Sequence, residues 1–208
     1  MNELADLVEG LKKTEIKNKI DERSSEFKAF GKKGNNELFI ELCFCLLTAN
    51  YDAAKAITIQ QKIGERFISL PETELSSELR RLGYRFPNVR AKFIVEAREY
   101  KESLRNIINS YKTDKSRRKW FAENVKGLGY KEASHFLRNI GRPDCAIIDF
   151  HIVDVLVRYR MIRKPKSLTK KVYLSIEKKL SVLAKKLDLS LAELDLYLWY
   201  LETGKILK

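Results

Sequence analysis

Two glycines, a lysine and an aspartate in VKGLGYKEASHFLRNIGRPDCAIIDFH, residues 125–151, have the types and spacing to do chemistry on a phosphate-bearing chain. Gly127-Leu128-Gly129 lies between two helical patterns. Lys131 follows two residues after the second glycine, and Asp149 comes 149 − 131 = 18 residues later. A glycine hairpin leaves backbone N–H groups open to a phosphate oxygen, which they hold without reading base sequence. Lys131 then falls in the first turn of the next helix, where the positive end of the helix dipole disfavours a second positive charge. A free amine is a nucleophile that can attack a sugar C1′ carbon and form a Schiff base. Asp149, held at a helix start, can stabilise positive charge growing on that sugar or relay a proton from the amine.

Each of these residues also has an ordinary reading. Lys131 fits an exposed surface lysine, the usual fate of lysine on a helix. Asp149 fits an N-cap carboxylate worth about 1 kcal/mol. A G-x-G turn joins many helix pairs that bind nothing, and its place between two helices of a basic chain is what raises its weight. His135 and His151 read as packing or polar-satisfaction residues and receive no role.

The elements that must position this set are helical almost throughout, with no convincing period-two alternation. Glu37–Ala49 is apolar nearly all round and reads as a central buried helix. Asn50 and Asp52 then interrupt the chain before a helix through about Phe67. Pro71 opens a turn and a short helix ending at Gly83, Asn88 is a candidate N-cap for Val89–Ser103, and Asp114 opens a basic amphipathic helix to near Val125. After the hairpin, Tyr130–Ile140 forms the next helix, stopped by Gly141 and Pro143. Asp149 is placed to cap His151–Met161. Ser190 and Glu193 make a capping box for the last helix, which Gly204 ends. The expected fold is all-α, with roughly ten helices. Lys115, Arg117, Arg118, Lys119 and Lys126 stand near the hairpin and are expected to add charge to its phosphate contact.

Across 208 residues Lys plus Arg outnumber Asp plus Glu by 41 − 28 = 13, which points to a polyanionic partner. Nucleic acid leads a membrane surface because no lipid-anchoring pattern is present; solubility in a lysine-rich proteome is the plainer reading of the same charge. The start, MNELADLVEGLKK, alternates acidic and apolar residues and is not a signal peptide. No run approaches the ~18 apolar residues of a membrane span. Cys43, Cys45 and Cys145 form no C-x-x-C pair, and the first two sit in an apolar run, as small core residues of a reduced, cytoplasmic protein do. With two histidines besides, neither a structural zinc nor a four-cysteine iron–sulfur site is expected.

GLGYKEA followed by IIDFH resembles the helix–hairpin–helix/Gly-Pro-Asp superfamily of DNA glycosylases, in which the hairpin lysine is the nucleophile and the later aspartate is essential. Those roles fall on Lys131 and Asp149. The usual hairpin begins Leu-Pro-Gly, and this chain instead has Val125-Lys126-Gly127. Four segments together, FCLLTAN at 44–50, GYRFPNVRA at 83–91, the hairpin and LYLWYLETGKILK at the end, are similar to the type 2 8-oxoguanine DNA glycosylases, and the resemblance covers essentially the whole chain.

The resemblance implies a bifunctional enzyme that removes 8-oxoguanine and then cleaves the abasic strand by β-elimination. It implies two helical lobes around a DNA-binding groove, approximately 34–138 and 1–33 with 139–208. Phe86 and Trp199 are the aromatics that sandwich the extruded base, and Lys208 is the terminal lysine that recognises it. Asn50 and Arg85 fill the vacated position and read the orphaned cytosine, while Lys126, Gly127 and Gly129 hold backbone phosphate. Core packing remains the plainer reading of Phe86 and Trp199, a frayed tail that of Lys208, and capping of the following helix that of Asn50. The partner implied is duplex DNA with 8-oxoguanine opposite cytosine, bound by a monomer with no redox cofactor and no divalent metal. Three rivals remain. An oxidised-pyrimidine glycosylase like endonuclease III often carries a carboxy-terminal four-cysteine cluster, and no cysteine follows Cys145. An adenine glycosylase would make Lys131 redundant. A non-catalytic hairpin module would bind in a salt-sensitive way without preferring a lesion.

Overall fold

Apolar residues at helical spacing, ended by polar caps, divide residues 2–208, those described in this computed structural model, into thirteen α-helices and one 3-10 helix. In chain order these are α1 (Asn2–Leu11), α2 (Glu15–Phe30), α3 (Asn35–Leu47), α4 (Ala53–Ile63), α5 (Arg66–Ser69), α6 (Glu72–Arg81) and α7 (Pro87–Ala97). There follow η1 (Arg98–Ser103), α8 (Leu104–Ser110), α9 (Asp114–Asn124), α10 (Tyr130–Asn139), α11 (Phe150–Arg158), α12 (Lys170–Lys186) and α13 (Leu191–Thr203). No strand occurs among the described residues, so the all-α expectation holds. Nor is any helix among them long and apolar enough to cross a membrane. The helices group into two compact units, Phe30–Phe136 and Met1–Ala29 with Leu137–Lys208.

In Phe30–Phe136, α3 is the core. Every residue from Leu38 to Leu47 is buried except Ile40, including Cys43 and Cys45. Burial pushes the Cys43 thiol well above its usual range, more than the nearby Arg98 pulls it down, so it is an inert packing group. Arg98 is spent on structure, donating to the carbonyls of Phe67 at 3.0 Å and Leu70 at 2.7 Å. Two expectations need correction here. The helix after Asp52 does not run to Phe67: it stops at Gly64, whose N–H still bonds Gln60, and α5 is a separate turn. Asn88 is not an N-cap, because α7 begins one residue earlier at Pro87, whose missing N–H and fixed φ suit a first helical position. Its side-chain oxygen instead accepts from Ser76 at 2.6 Å and Arg80 at 2.9 Å. Asp114 opens α9 as expected, and Thr113 before it caps the helix in a reciprocal box with Ser116.

In the other unit, α13 bears out its capping box: Ser190 and Glu193 each bond the other's backbone N–H, and Gly204 ends the helix in the left-handed region at φ 68°. Thr169 caps α12 by accepting from Val172. Gly141 turns the chain after α10 at φ 74°, where a Cβ would stand 2.7 Å from the Lys28 Cα, so only glycine lets the two backbones meet. A buried ion pair joins Arg138 to Asp195, and the Arg138 guanidinium also lies 5.2 Å from the Phe27 ring centre.

Candidate active site

The hairpin falls where the sequence places it, between α9 and α10, with Lys131 the second residue of α10. Gly127 has φ +83°, a conformation other residues rarely take. A Cβ there would sit 2.9 Å from the Phe93 Cε2 and 3.0 Å from the Arg90 Nη1. Glycine is therefore required twice over, by angle and by space. The hairpin amides are not equivalent. Leu128 N–H donates to the Val125 carbonyl at 3.1 Å, and Gly129 N–H to the Glu132 carboxylate at 3.1 Å. Gly127 N–H and Lys126 N–H have no acceptor among the described residues.

Lys131 is about a quarter exposed. Its Nζ donates to the Thr48 carbonyl at 3.3 Å and lies 3.6 Å from the Glu132 carboxylate. These two oxygens aim the amine, and one of them comes from the residue two before Asn50. Asn50 is exposed with φ 56° and does not cap α4; Asp52 does, accepting from Lys55 N–H at 2.8 Å. Arg85 and Phe86 are exposed side by side, the guanidinium 4.9 Å from the Phe86 ring centre, so Phe86 is not a core residue. The chain on either side of these residues is tied together: Tyr84 donates to the Leu47 carbonyl at 2.9 Å, and Tyr51 to the Gly83 carbonyl at 3.2 Å. Burial pushes the Tyr84 hydroxyl upward despite Arg90 beside it, which keeps it a donor.

The expected ring of cations around the hairpin is smaller than the sequence implies. Lys126 is exposed and pairs with Glu96 at 3.3 Å. Arg117 and Arg118 are buried and cannot reach a phosphate. Arg117 pairs with Asp114 at 2.7 Å and donates to the Ile108 carbonyl at 2.6 Å. Arg118 lies 4.8 Å from the Tyr130 ring centre and 3.3 Å from the Ser134 hydroxyl. Both fasten α9 to its neighbours from within.

The remaining candidates belong to the other unit. Asp149 caps α11, its Oδ1 accepting from Ile152 N–H at 3.0 Å, which fixes the carboxylate at the helix start. Trp199 is half-buried, with its ring edge-on to His151 at 4.9 Å and its indole N–H without an acceptor among the described residues. His151 in turn lies 4.2 Å from Phe150, which is 67% exposed beside Asp149. Lys208 is half-buried and not a free tail. The packing reading of His135 holds: it is buried, edge-on to Phe44 at 5.4 Å.

Sequence reasoning missed Thr48, Glu132, Arg90 and Phe150. Only Glu132 carried a signal, a glutamate three residues past a glycine at a helix start, which is half of a capping box. Thr48 contributes a main-chain oxygen, and Arg90 looks in the sequence like any solvated cation.

Helices flanking a glycine hairpin, with a lysine at the start of the second and an aspartate capping a later one, define a helix–hairpin–helix DNA glycosylase fold. A family model described as 8-oxoguanine DNA glycosylase matches residues 20–189. The 8-oxoguanine DNA glycosylase/AP lyase of Methanocaldococcus jannaschii is 50% identical over 202 residues, covering 97% of each chain; that of Korarchaeum cryptofilum is 47% identical, covering 100% of this chain and 99% of its own. The crystal structure of a Methanocaldococcus jannaschii 8-oxoguanine glycosylase/lyase in complex with a 15mer DNA containing 8-oxoguanine superposes with a TM-score of 0.96 at 48% identity, covering 99% of each chain. The chain belongs to the 8-oxoguanine DNA glycosylase family.

Proposed function

We propose that this protein excises 8-oxoguanine from duplex DNA through a Schiff base on Lys131 and cleaves the resulting abasic strand by β-elimination. The observation that carries the reading is the Lys131 amine, aimed by the Thr48 carbonyl and the Glu132 carboxylate in the first turn after the hairpin and left partly open. Full-length similarity to glycosylase/AP lyases supports it.

In this reading the hairpin grips the backbone through Gly127 N–H and Lys126, while Gly129 starts α10 and so sets Lys131. The lesion base leaves the duplex and stacks between Phe86 and Trp199, with Lys208 donating to its edge. Lys131 Nζ attacks C1′, and the bond from C1′ to N9 breaks with the electron pair leaving on the base. The amine loses its protons, the sugar ring opens at O4′, and an imine joins Nζ to C1′. Asp149 offsets positive charge on the sugar during the first step. Loss of a C2′ proton then expels the 3′ phosphate, and water releases the lysine. Asn50 and Arg85 read a cytosine opposite the lesion through its polar edge. The protein acts as a monomer in the compartment that holds the DNA, and none of its own steps calls for a metal or redox group.

Borohydride trapping tests this on duplexes carrying 8-oxoguanine opposite cytosine, an oxidised pyrimidine, or no lesion. Wild type should trap on 8-oxoguanine alone and Lys131→Gln on nothing. Undiminished trapping by Lys131→Gln would remove the lysine from the nucleophile role. Trapping confined to the pyrimidine lesion would keep the mechanism and change the substrate. Confirmed binding with no adduct on any duplex would leave a non-catalytic hairpin module.

A further inference from the structure

Arg90 lies buried in α7, 7% exposed, with no carboxylate paired to it among the described residues. A guanidinium is seldom buried without an anion unless it is needed to hold other groups in place. Its contacts reach three separate stretches of chain. Nε donates to the Tyr84 hydroxyl at 3.2 Å, and that hydroxyl donates onward to the Leu47 carbonyl. Nη2 approaches the Ala49 carbonyl at 3.4 Å, the residue before Asn50. The guanidinium carbon is 5.6 Å from the Phe93 ring centre, and Nη1 faces the space where a Cβ of Gly127 would be, making no hydrogen bond there. Phe93 fills the rest of that space.

We propose that Arg90 is a positioning residue that locks the Asn50 turn, the Tyr84–Phe86 loop and the Gly127 hairpin into one body, so that contacts to the opposite base and to the backbone phosphate are set together. The inference rests on the functional reading above for what Asn50, Arg85 and the hairpin touch. The planar fork of arginine is what serves two acceptors and a ring face at once. A lysine offers the same charge as a single point and cannot span them.

Arg90→Lys and Arg90→Met, with Arg85→Ala and Lys126→Ala as references, should be compared with wild type by three measurements. These are amide hydrogen exchange of the free protein, affinity for undamaged duplex, and single-turnover excision of 8-oxoguanine opposite each base. Arg90→Lys should raise exchange at 48–51, 83–86 and 125–129 together, weaken duplex binding, and reduce the preference for opposite cytosine by about tenfold, the worth of one good base contact. Arg85→Ala should lose only the preference, and Lys126→Ala only the affinity. If Arg90→Met fails to fold, Arg90→Lys carries the test, because it keeps the charge. Exchange confined to one segment overturns the proposal. So does a uniform rate loss with the base ratios kept, provided that Arg85→Ala abolishes them. If Arg85→Ala itself leaves the ratios unchanged, the base-reading assignment is what fails, and Arg90 is judged on the exchange pattern alone.

Discussion

Asp149 caps α11 and, in the proposed reading, also serves the sugar, and a single substitution can separate the two. As an N-cap it needs an oxygen acceptor for Ile152 N–H, and as an electrostatic partner of the sugar it needs a charge. Asparagine supplies the first without the second, and the two residues are near-equal caps. Asp149→Asn should therefore melt within a few degrees of wild type yet excise 8-oxoguanine about 100-fold more slowly under single turnover, a loss in the range of one acid–base or electrostatic group. Asp149→Ala should lose the same rate and about 1 kcal/mol of stability besides. An unchanged rate in Asp149→Asn would reduce the residue to its cap. Lys131 differs in kind, because its aim comes from a carbonyl 83 positions away in sequence, and no substitution at Thr48 removes a main-chain oxygen.

At the scale of the helix, what could be read from the sequence was whatever is local. The box of Ser190 and Glu193, the cap at Asp149 and the turn at Gly141 each depend on residues within a few positions, and each stands as the residue types require. The hairpin was legible for the same reason. The misreadings at Asn88 and at Arg117 and Arg118 share a cause: the competing partner is elsewhere. Pro87 takes the helix start from Asn88, and Asp114, Ile108 and Tyr130 draw two cations inward that the sequence offers as surface charge. Of the candidate site, the side chains were visible and Glu132 left a local sign, while Thr48 and Arg90 act through space from distant positions. The buried face of α13 also sets a pH limit. Burial, with Asp21, Glu193 and Glu9 nearby, pushes the Tyr197 hydroxyl from 10.0 up to about 12. The folded state thus holds the neutral phenol more tightly than the unfolded chain does. That contribution is complete below pH 10 and fades as pH rises toward 12. Urea unfolding across that window should show a smaller alkaline loss for Tyr197→Phe than for wild type. A difference between the two that does not vary with pH would mean that the hydroxyl ionises alike in both states.

For the whole molecule, the formal excess of 13 positive charges overstates what is available to DNA. Arg90, Arg117, Arg118 and Arg138 are buried, and Arg98 and Arg105 donate to backbone carbonyls, so much of the arginine serves the fold. In the proposed reading, exposed lysines such as Lys126 are left to meet phosphates, as mobile point charges that do not read sequence. Affinity for undamaged duplex should therefore fall linearly in log–log form as salt rises, with a slope that counts only the surface contacts. Lys126→Ala should flatten that slope by about 1 and weaken lesion and undamaged duplex by the same factor, because the contact is to backbone alone. Breaking its exposed pair with Glu96 should cost the fold little, since such surface pairs are worth about 0–1 kcal/mol. A slope that stays put would take Lys126 off the DNA. A flattened slope with selective loss on the lesion duplex would mean that the hairpin grips tightly only after the base has left the helix, making phosphate contact and extrusion one event.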